Sequence, residues 1–182
     1  NPDDLWAVYA VAHVMEMQQR AADGIEWLNY SLDHFRDFNP FRGHIWWHKG
    51  LFLIEAGSMD AALSLYDHAI HDTQSEFFLD VQNSVSFLAR LELNGVDVGD
   101  RWQELADIAA GNSDGHNLVF TDLHHIIALC RGQKFDDAAA HIASMQNFAA
   151  TQASHTATVI KQVGVPMGQS LLAYEQGDYD TA

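Results

Sequence analysis

Residues 46–69 read WWHKGLFLIEAGSMDAALSLYDHA, and this stretch decides the fold. Its large apolar residues and its small residues recur every three or four positions, which is the spacing of one helix face. The pattern consists of Trp46, Gly50, Leu53, Gly57, Asp60, Ala62, Tyr66 and Ala69. The small residues would let two helices approach closely, while the large ones fill the remaining volume. The stretch therefore predicts two antiparallel helices, at about 44–56 and 59–72, joined at Gly57.

The same arrangement returns along the chain, which indicates a repeat. Gly24, Ala62 and Ala138 take the equivalent small position in the second helix of a pair, and residues 177–182 begin another copy. Repeated pairs must stack, because one pair cannot bury its own apolar face. We therefore predict an all-α superhelix, or solenoid, of antiparallel helix pairs. The predicted pairs lie at about 5–35, 44–72, 78–110 and 118–149, with an incomplete last pair at 160–182.

The whole chain, residues 1–182, is predicted to be a single solenoid fragment of a longer protein. Pro2 is expected just before the first helix, where its missing N–H costs nothing. Residues 39–43 (NPFRG) and 111–115 (GNSDG) are predicted to be a break and a loop. An open repeat at the end of the chain makes a homodimer a further expectation.

Four phrases of the sequence resemble one family of repeat proteins. They are AVAHVMEMQ at residues 10–18, HIWWH at 44–48, RLELNGVDVGDRW at 90–102 and TDLH at 121–124. On these phrases the chain is similar to the tetratricopeptide repeat (TPR) superfamily, and most similar to the tetratricopeptide repeat protein 38 family. The resemblance covers nearly all of the chain and implies an all-helical, right-handed superhelix. It implies no particular activity, since solenoids of this kind serve many tasks.

Composition narrows the class of partner. The chain has 9 Lys and Arg against 25 Asp and Glu, a formal net charge of −16. Phosphate recognition depends on clustered basic residues, so we expect neither nucleic acid nor an anionic membrane as partner. The single cysteine, Cys130, lies in an apolar helical run and is predicted to be buried and unreactive. These features favour a cytoplasmic protein without a cofactor.

Histidine is the unusual residue, with 11 copies in the chain. Five lie on the predicted first helices of the pairs, which line the concave surface: His13, His44, His48, His124 and His125. His44 and His48 are four residues apart and share a helix face, as do His13 and Glu16 at three. Asp122 lies just before His124 and is predicted to orient an imidazole ring. The other histidines are predicted to lie on the surface (His34, His68, His71, His141 and His155) or to cap a helix (His116).

These residues form the hypothetical functional site, a ligand groove on the concave surface. It consists of His13, Glu16, His44, His48, Asp122 and His124 with three aromatic residues, Trp6, Tyr9 and Trp47. One interpretation is that the histidines only pack between repeats. A second is that they contact a ligand, and a third is that His44, His48 and His13 hold a metal ion, although none is expected.

The leading functional hypothesis is a TPR-type scaffold that binds a protein segment or a small ligand in its groove. The alternative is an enzyme that uses the histidines for metal-dependent or acid–base chemistry. The sequence favours the scaffold, because it has no His-Glu-x2-His, Walker, dinucleotide or Gly-x-Ser-x-Gly motif. An acidic peptide is disfavoured as ligand, because the first helices offer only Lys49, Arg90 and Asn83 to bind it.

Overall fold

The computed structural model describes residues 3–35, 41–72, 75–112 and 114–182. Within these ranges the chain is all-helical and contains no β-strand, which confirms the predicted all-α class. Three predicted features lie at least partly outside the described residues. They are Pro2, residues 39 and 40 of the predicted break, and Ser113 of the predicted loop. The chain divides into two compact units, Asn1–Val98 and Gly99–Ala182. No described helix is both long enough and apolar enough to cross a membrane.

The first unit is built from five helices among its described residues. They are α1 (Leu5–Met17), α2 (Ala21–Trp27), α3 (Arg42–Glu55), α4 (Met59–Leu65) and α5 (Phe78–Leu93). A π-helical turn, Tyr66–Ile70, continues α4. Helix α2 ends at Trp27, although the spacing predicted a helix to residue 35. Asn29 and Ser31 follow that end, and such side chains compete for backbone hydrogen bonds.

The second unit contains the remaining helices. They are α6 (Arg101–Gly111), α7 (Val119–Arg131), α8 (Phe135–Thr151), α9 (His155–Val159) and α10 (Val165–Glu175), with a π-helical turn, Ile160–Gly164, between the last two. The predicted start of the last helix at 160 is wrong, because α9 begins at His155. The Ser154 hydroxyl accepts a hydrogen bond from the Ala157 amide at 3.1 Å and so caps this helix. No helix begins within residues 177–182.

The large residues and the alanines of the repeat signature lie in the core of the first unit, as predicted. Trp46, Leu53, Ala62, Tyr66 and Ala69 are all buried. Between α3 and α4 the chain turns with a positive φ of 74° at Gly57, which glycine adopts without strain.

Glycine also allows the helices of this unit to touch. A methyl group at Gly50 would overlap the Phe87 ring of α5, and one at Gly24 would overlap the Phe52 ring of α3. Helix α3 therefore packs closely against both α2 and α5, and it also contacts α1. This packing places one face of α3 between side chains of α1 and α5, where the candidate site lies.

Candidate metal and ligand site

Three predicted site histidines meet in the first unit. His13 comes from α1, while His44 and His48 lie one helical turn apart on α3. One ring nitrogen from each histidine lies within 4.8 Å of those of the other two. The ring centroid of His48 is 4.4 Å from that of His13 and 4.8 Å from that of His44. We refer to these three residues as the histidine cluster.

His48 is the innermost member, with 1% of its surface exposed. Its Nδ1 lies 2.8 Å from Oε2 of Glu16. A carboxylate only accepts hydrogen bonds, so Nδ1 of His48 carries the proton and donates it. The lone pair of the neutral ring is therefore on Nε2, which is buried and has no hydrogen-bond partner among the described residues.

His44 is held in the same way from α5. Its Nδ1 lies 2.9 Å from the side-chain oxygen of Asn83, which is buried. The amide oxygen accepts, so His44 donates from Nδ1 and keeps its lone pair on Nε2. From the sequence, Asn83 is only a weak candidate for contacting a peptide, and its hydrogen bond to a histidine of α3 has no local signal in the sequence.

Burial keeps two of these rings neutral. Burial, with smaller contributions from His44 and His13, lowers the pKa of His48 to about 3. Burial also lowers the pKa of His44, against the opposing effect of the hydrogen bond to Asn83. Both imidazoles are therefore uncharged at neutral pH, which is the form that binds a metal ion.

Four aromatic side chains border the histidine cluster, and we call them the aromatic face: Trp6, Tyr9, Phe41 and Trp47. Trp6 stacks on Phe41 with ring centroids 4.5 Å apart and is 67% exposed. The Tyr9 ring contacts all three histidine rings, at centroid distances of 4.3 to 5.5 Å. Phe41 was not a predicted member, because it lies in the stretch that reads as a break.

Trp47 closes the side of the cluster nearest α5. Its ring stacks on His44 with centroids 5.3 Å apart and an angle of 9° between the planes. Its Nε1–H donates to the Ser86 hydroxyl at 2.9 Å, and the Arg90 guanidinium lies 5.5 Å from its ring centre. The first unit thus brings together seven predicted site residues: Trp6, Tyr9, His13, Glu16, His44, Trp47 and His48.

Asp122 and His124, the other two predicted site residues, belong to the second unit. Asp122 forms hydrogen bonds to two imidazole rings, but that of its neighbour His124 is not one of them. His124 Nδ1 instead lies 2.7 Å from the backbone oxygen of Phe120, one turn earlier on α7. Asp122 Oδ1 accepts from His116 Nδ1 at 2.8 Å and from His141 Nε2 at 3.1 Å.

His116, Asp122 and His141 form a second group, which we call the buried cluster. All three are buried, and the other ring nitrogen of His116 is 2.8 Å from the Ser144 hydroxyl. His141 was predicted to lie on the surface, and that prediction is wrong because α8 turns it towards α7. His34 and His71 are also half-buried, while His68 and His155 are exposed as predicted. His116 does not cap a helix with its ring.

The two groups differ in what their hydrogen bonds leave free. Among the described residues, both groups contain buried atoms without a hydrogen-bond partner: Nε2 of His13 and of His48 in the histidine cluster, and Nδ1 of His141 and Oδ2 of Asp122 in the buried cluster. In the buried cluster, however, His116 and His141 are already hydrogen-bonded to the same carboxylate oxygen of Asp122. The histidine cluster is therefore the stronger candidate for a ligand site. No protein-family model matches this chain, and no solved structure matches it.

Proposed function

We propose that this chain is part of a TPR-like solenoid that binds a peptide segment of a partner through the aromatic face. The observation that carries the proposal is the 67% exposure of Trp6, a large side chain stacked on Phe41 beside half-buried Tyr9. Exposed aromatic side chains beside polar groups are typical of binding surfaces. The repeated helix-pair signature and the small residues at its contacts support the solenoid part of the proposal.

Charge suggests the chemistry of the bound segment. Residues 1–98 contain 15 Asp and Glu but 5 Lys and Arg. Asp3 and Asp4 lie at the start of α1, next to Trp6, and both are exposed. A Lys or Arg side chain could lie over the Trp6 ring and gain from these carboxylates. We therefore propose a basic, partly apolar segment rather than an acidic one.

The test is a selection of peptides of random sequence displayed on phage against the immobilised full chain. Binding of the enriched peptides, made synthetically, would then be measured by fluorescence polarisation to wild type, Trp6→Ala and Tyr179→Ala. Tyr179 is a matched control, because it is 70% exposed but lies in the second unit.

We expect basic peptides that Trp6→Ala binds at least about tenfold more weakly and that Tyr179→Ala binds like wild type. Equal binding by all three proteins, or enrichment of acidic peptides, would contradict the proposal.

A second candidate function is metal-dependent, and the convergence of the three histidines favours it. A metal ion held by these histidines could bind and polarise an oxygen atom of a ligand at the aromatic face. Acid–base catalysis by His48 is less well supported, because a group with a pKa of about 3 is a weak proton acceptor near neutral pH.

A further inference from the structure

We propose that His13, His44 and His48 bind one divalent transition-metal ion, of which zinc is the leading candidate, each through one ring nitrogen. The inference goes beyond peptide binding and does not depend on it, although the histidine cluster adjoins the aromatic face.

The first argument is the state of the donor atoms. Glu16 and Asn83 accept hydrogen bonds from Nδ1 of His48 and His44, so both rings keep a lone pair on Nε2. Nε2 of His48 is buried without a partner, and so is Nε2 of His13. Buried polar atoms are nearly always satisfied, and those that are not require an explanation, such as an ion.

The second argument is distance. Nitrogens at the corners of a triangle with sides of at most 4.8 Å surround a central point at no more than about 2.8 Å. Zinc binds imidazole nitrogen at about 2.0–2.1 Å, so shifts of under about 1 Å would complete the site. Side-chain rotations can supply such shifts without moving α1 or α3.

The third argument is the support behind the ligands. A metal-binding histidine usually donates its other N–H to a carboxylate or a carbonyl oxygen, which fixes the ring and raises its basicity. Glu16 does this for His48 at 2.8 Å, and Asn83 does it for His44 at 2.9 Å. A negatively charged Glu16 beside the site also offsets part of the charge of the ion.

The donor set identifies the class of ion. Three imidazoles suit zinc, copper, nickel and cobalt, whereas magnesium and calcium require oxygen ligands. Three protein ligands also leave zinc a coordination position for water or for a bound molecule. His13 and His44 are half-buried, although Nε2 of His13 is itself buried.

The test uses the full chain without a purification tag, stripped of metal with a chelator. Zinc binding would be measured by titration calorimetry, and cobalt binding by its visible absorption spectrum, which distinguishes tetrahedral nitrogen ligation. The same measurements would be made on His44→Gln/His48→Gln and on His68→Gln. His68 is an exposed histidine of the same unit and serves as the control.

We expect the double variant to bind one equivalent of zinc fewer than wild type and to lose the tetrahedral cobalt spectrum, while His68→Gln retains both. Equal stoichiometry in wild type and the double variant would overturn the proposal. If circular dichroism shows that the double variant does not fold, His13→Gln takes its place, because that residue is only half-buried.

The variant Glu16→Gln tests whether Glu16 supports His48 or is itself a metal ligand. It still accepts the hydrogen bond from His48 but carries no charge, so we expect zinc to bind about tenfold more weakly with unchanged stoichiometry. Unchanged affinity would contradict the supporting role. Measuring how the selected basic peptide binds to the double variant distinguishes the two proposals. If the peptide still binds when zinc does not, the aromatic face binds peptides independently of the metal.

Discussion

Single residues determine what the site can bind, because the two ring nitrogens of His44 and of His48 differ: Nδ1 donates a hydrogen bond, while Nε2 keeps the lone pair. The sequence shows that His44 and His48 share a helix face, and it pairs His13 with Glu16 by spacing. It does not show that Glu16 bonds His48, or that Asn83 bonds His44, since these pairs join different helices. The sequence thus predicted which residues of the first unit form the site, but it could not predict the hydrogen bonds between them.

Gly50 tests the close contact between α3 and α5. A side chain there would overlap the Phe87 ring, which is itself fully buried and cannot move aside. We expect Gly50→Ala to lower the free energy of unfolding by about 1–3 kcal/mol in urea titrations. Gly111→Ala is the control, since no atom lies within 4 Å of its added methyl group. A similar loss in both variants would disprove the contact.

Cys130 tests burial in the second unit. It is fully buried, and burial raises its pKa to about 12. The thiol should stay protonated at pH 8, so we expect it to react with a disulfide reagent at least about a hundredfold more slowly in the native protein than in urea. The chain has one cysteine, so the signal is unambiguous. Rapid reaction without denaturant would contradict this burial.

His125 makes the second unit sensitive to acid. Burial, together with His141, lowers its pKa from 6.5 to about 4, while Asp122 opposes this and His124 and His116 add to it. In the unfolded chain His125 is therefore protonated as the pH falls below about 6.5, whereas in the folded chain it stays neutral until about pH 4. Stability should fall as the pH drops through this interval, because protons favour the unfolded state.

In urea titrations, the free energy of unfolding of wild type should fall between pH 7 and pH 5. We expect this fall to be about 1–2 kcal/mol smaller in His125→Gln. His155→Gln, which removes an exposed histidine, should follow wild type. A His125→Gln profile identical to that of wild type would show that His125 does not cause the acid sensitivity.

At the scale of helices, periodicity predicts best where nothing competes with the helix. The spacing predicted α5 at 78–93, and the structure has it at Phe78–Leu93. It failed after Trp27, where polar side chains end α2, and before residue 160, where a serine cap starts α9 early. A cap is a single side-chain hydrogen bond, which apolar spacing does not register.

Ser154 tests that cap directly. Its hydroxyl satisfies the Ala157 amide at the start of α9. We expect Ser154→Ala to lower the free energy of unfolding by about 1 kcal/mol, and Ser154→Asp to restore most of it, because aspartate is also a good cap. The measurement is urea unfolding followed by circular dichroism. If Ser154→Asp is as unstable as Ser154→Ala, the cap is not the cause.

At the scale of the whole molecule, apolar spacing and the repeated signature predicted the all-helical class, but contacts between distant segments decided the sites. The buried cluster joins His116, before α7, to His141 of α8 through Asp122, over 25 residues of sequence. The sequence predicts its members separately: His116 as a helix cap, His141 as a surface residue and Asp122 as a groove residue. No periodic pattern connects them, so the sequence could not predict the cluster.

The net charge of −16 leads to a prediction about salt. If a basic segment binds the aromatic face, part of its affinity comes from long-range attraction, which salt screens. We expect the dissociation constant of a selected basic peptide to rise severalfold between about 50 and about 300 mM NaCl, as followed by fluorescence polarisation. Binding that does not change with salt would indicate purely apolar recognition.

The metal site is the central claim, and anomalous diffraction from crystals of the zinc-loaded full chain tests it most directly. Data collected on both sides of the zinc absorption edge locate the ion without assumptions about its ligands. The account predicts one strong peak within bonding distance, about 2.0–2.1 Å, of nitrogens of His13, His44 and His48. A peak only at the buried cluster, or no peak at the histidine cluster, would contradict it.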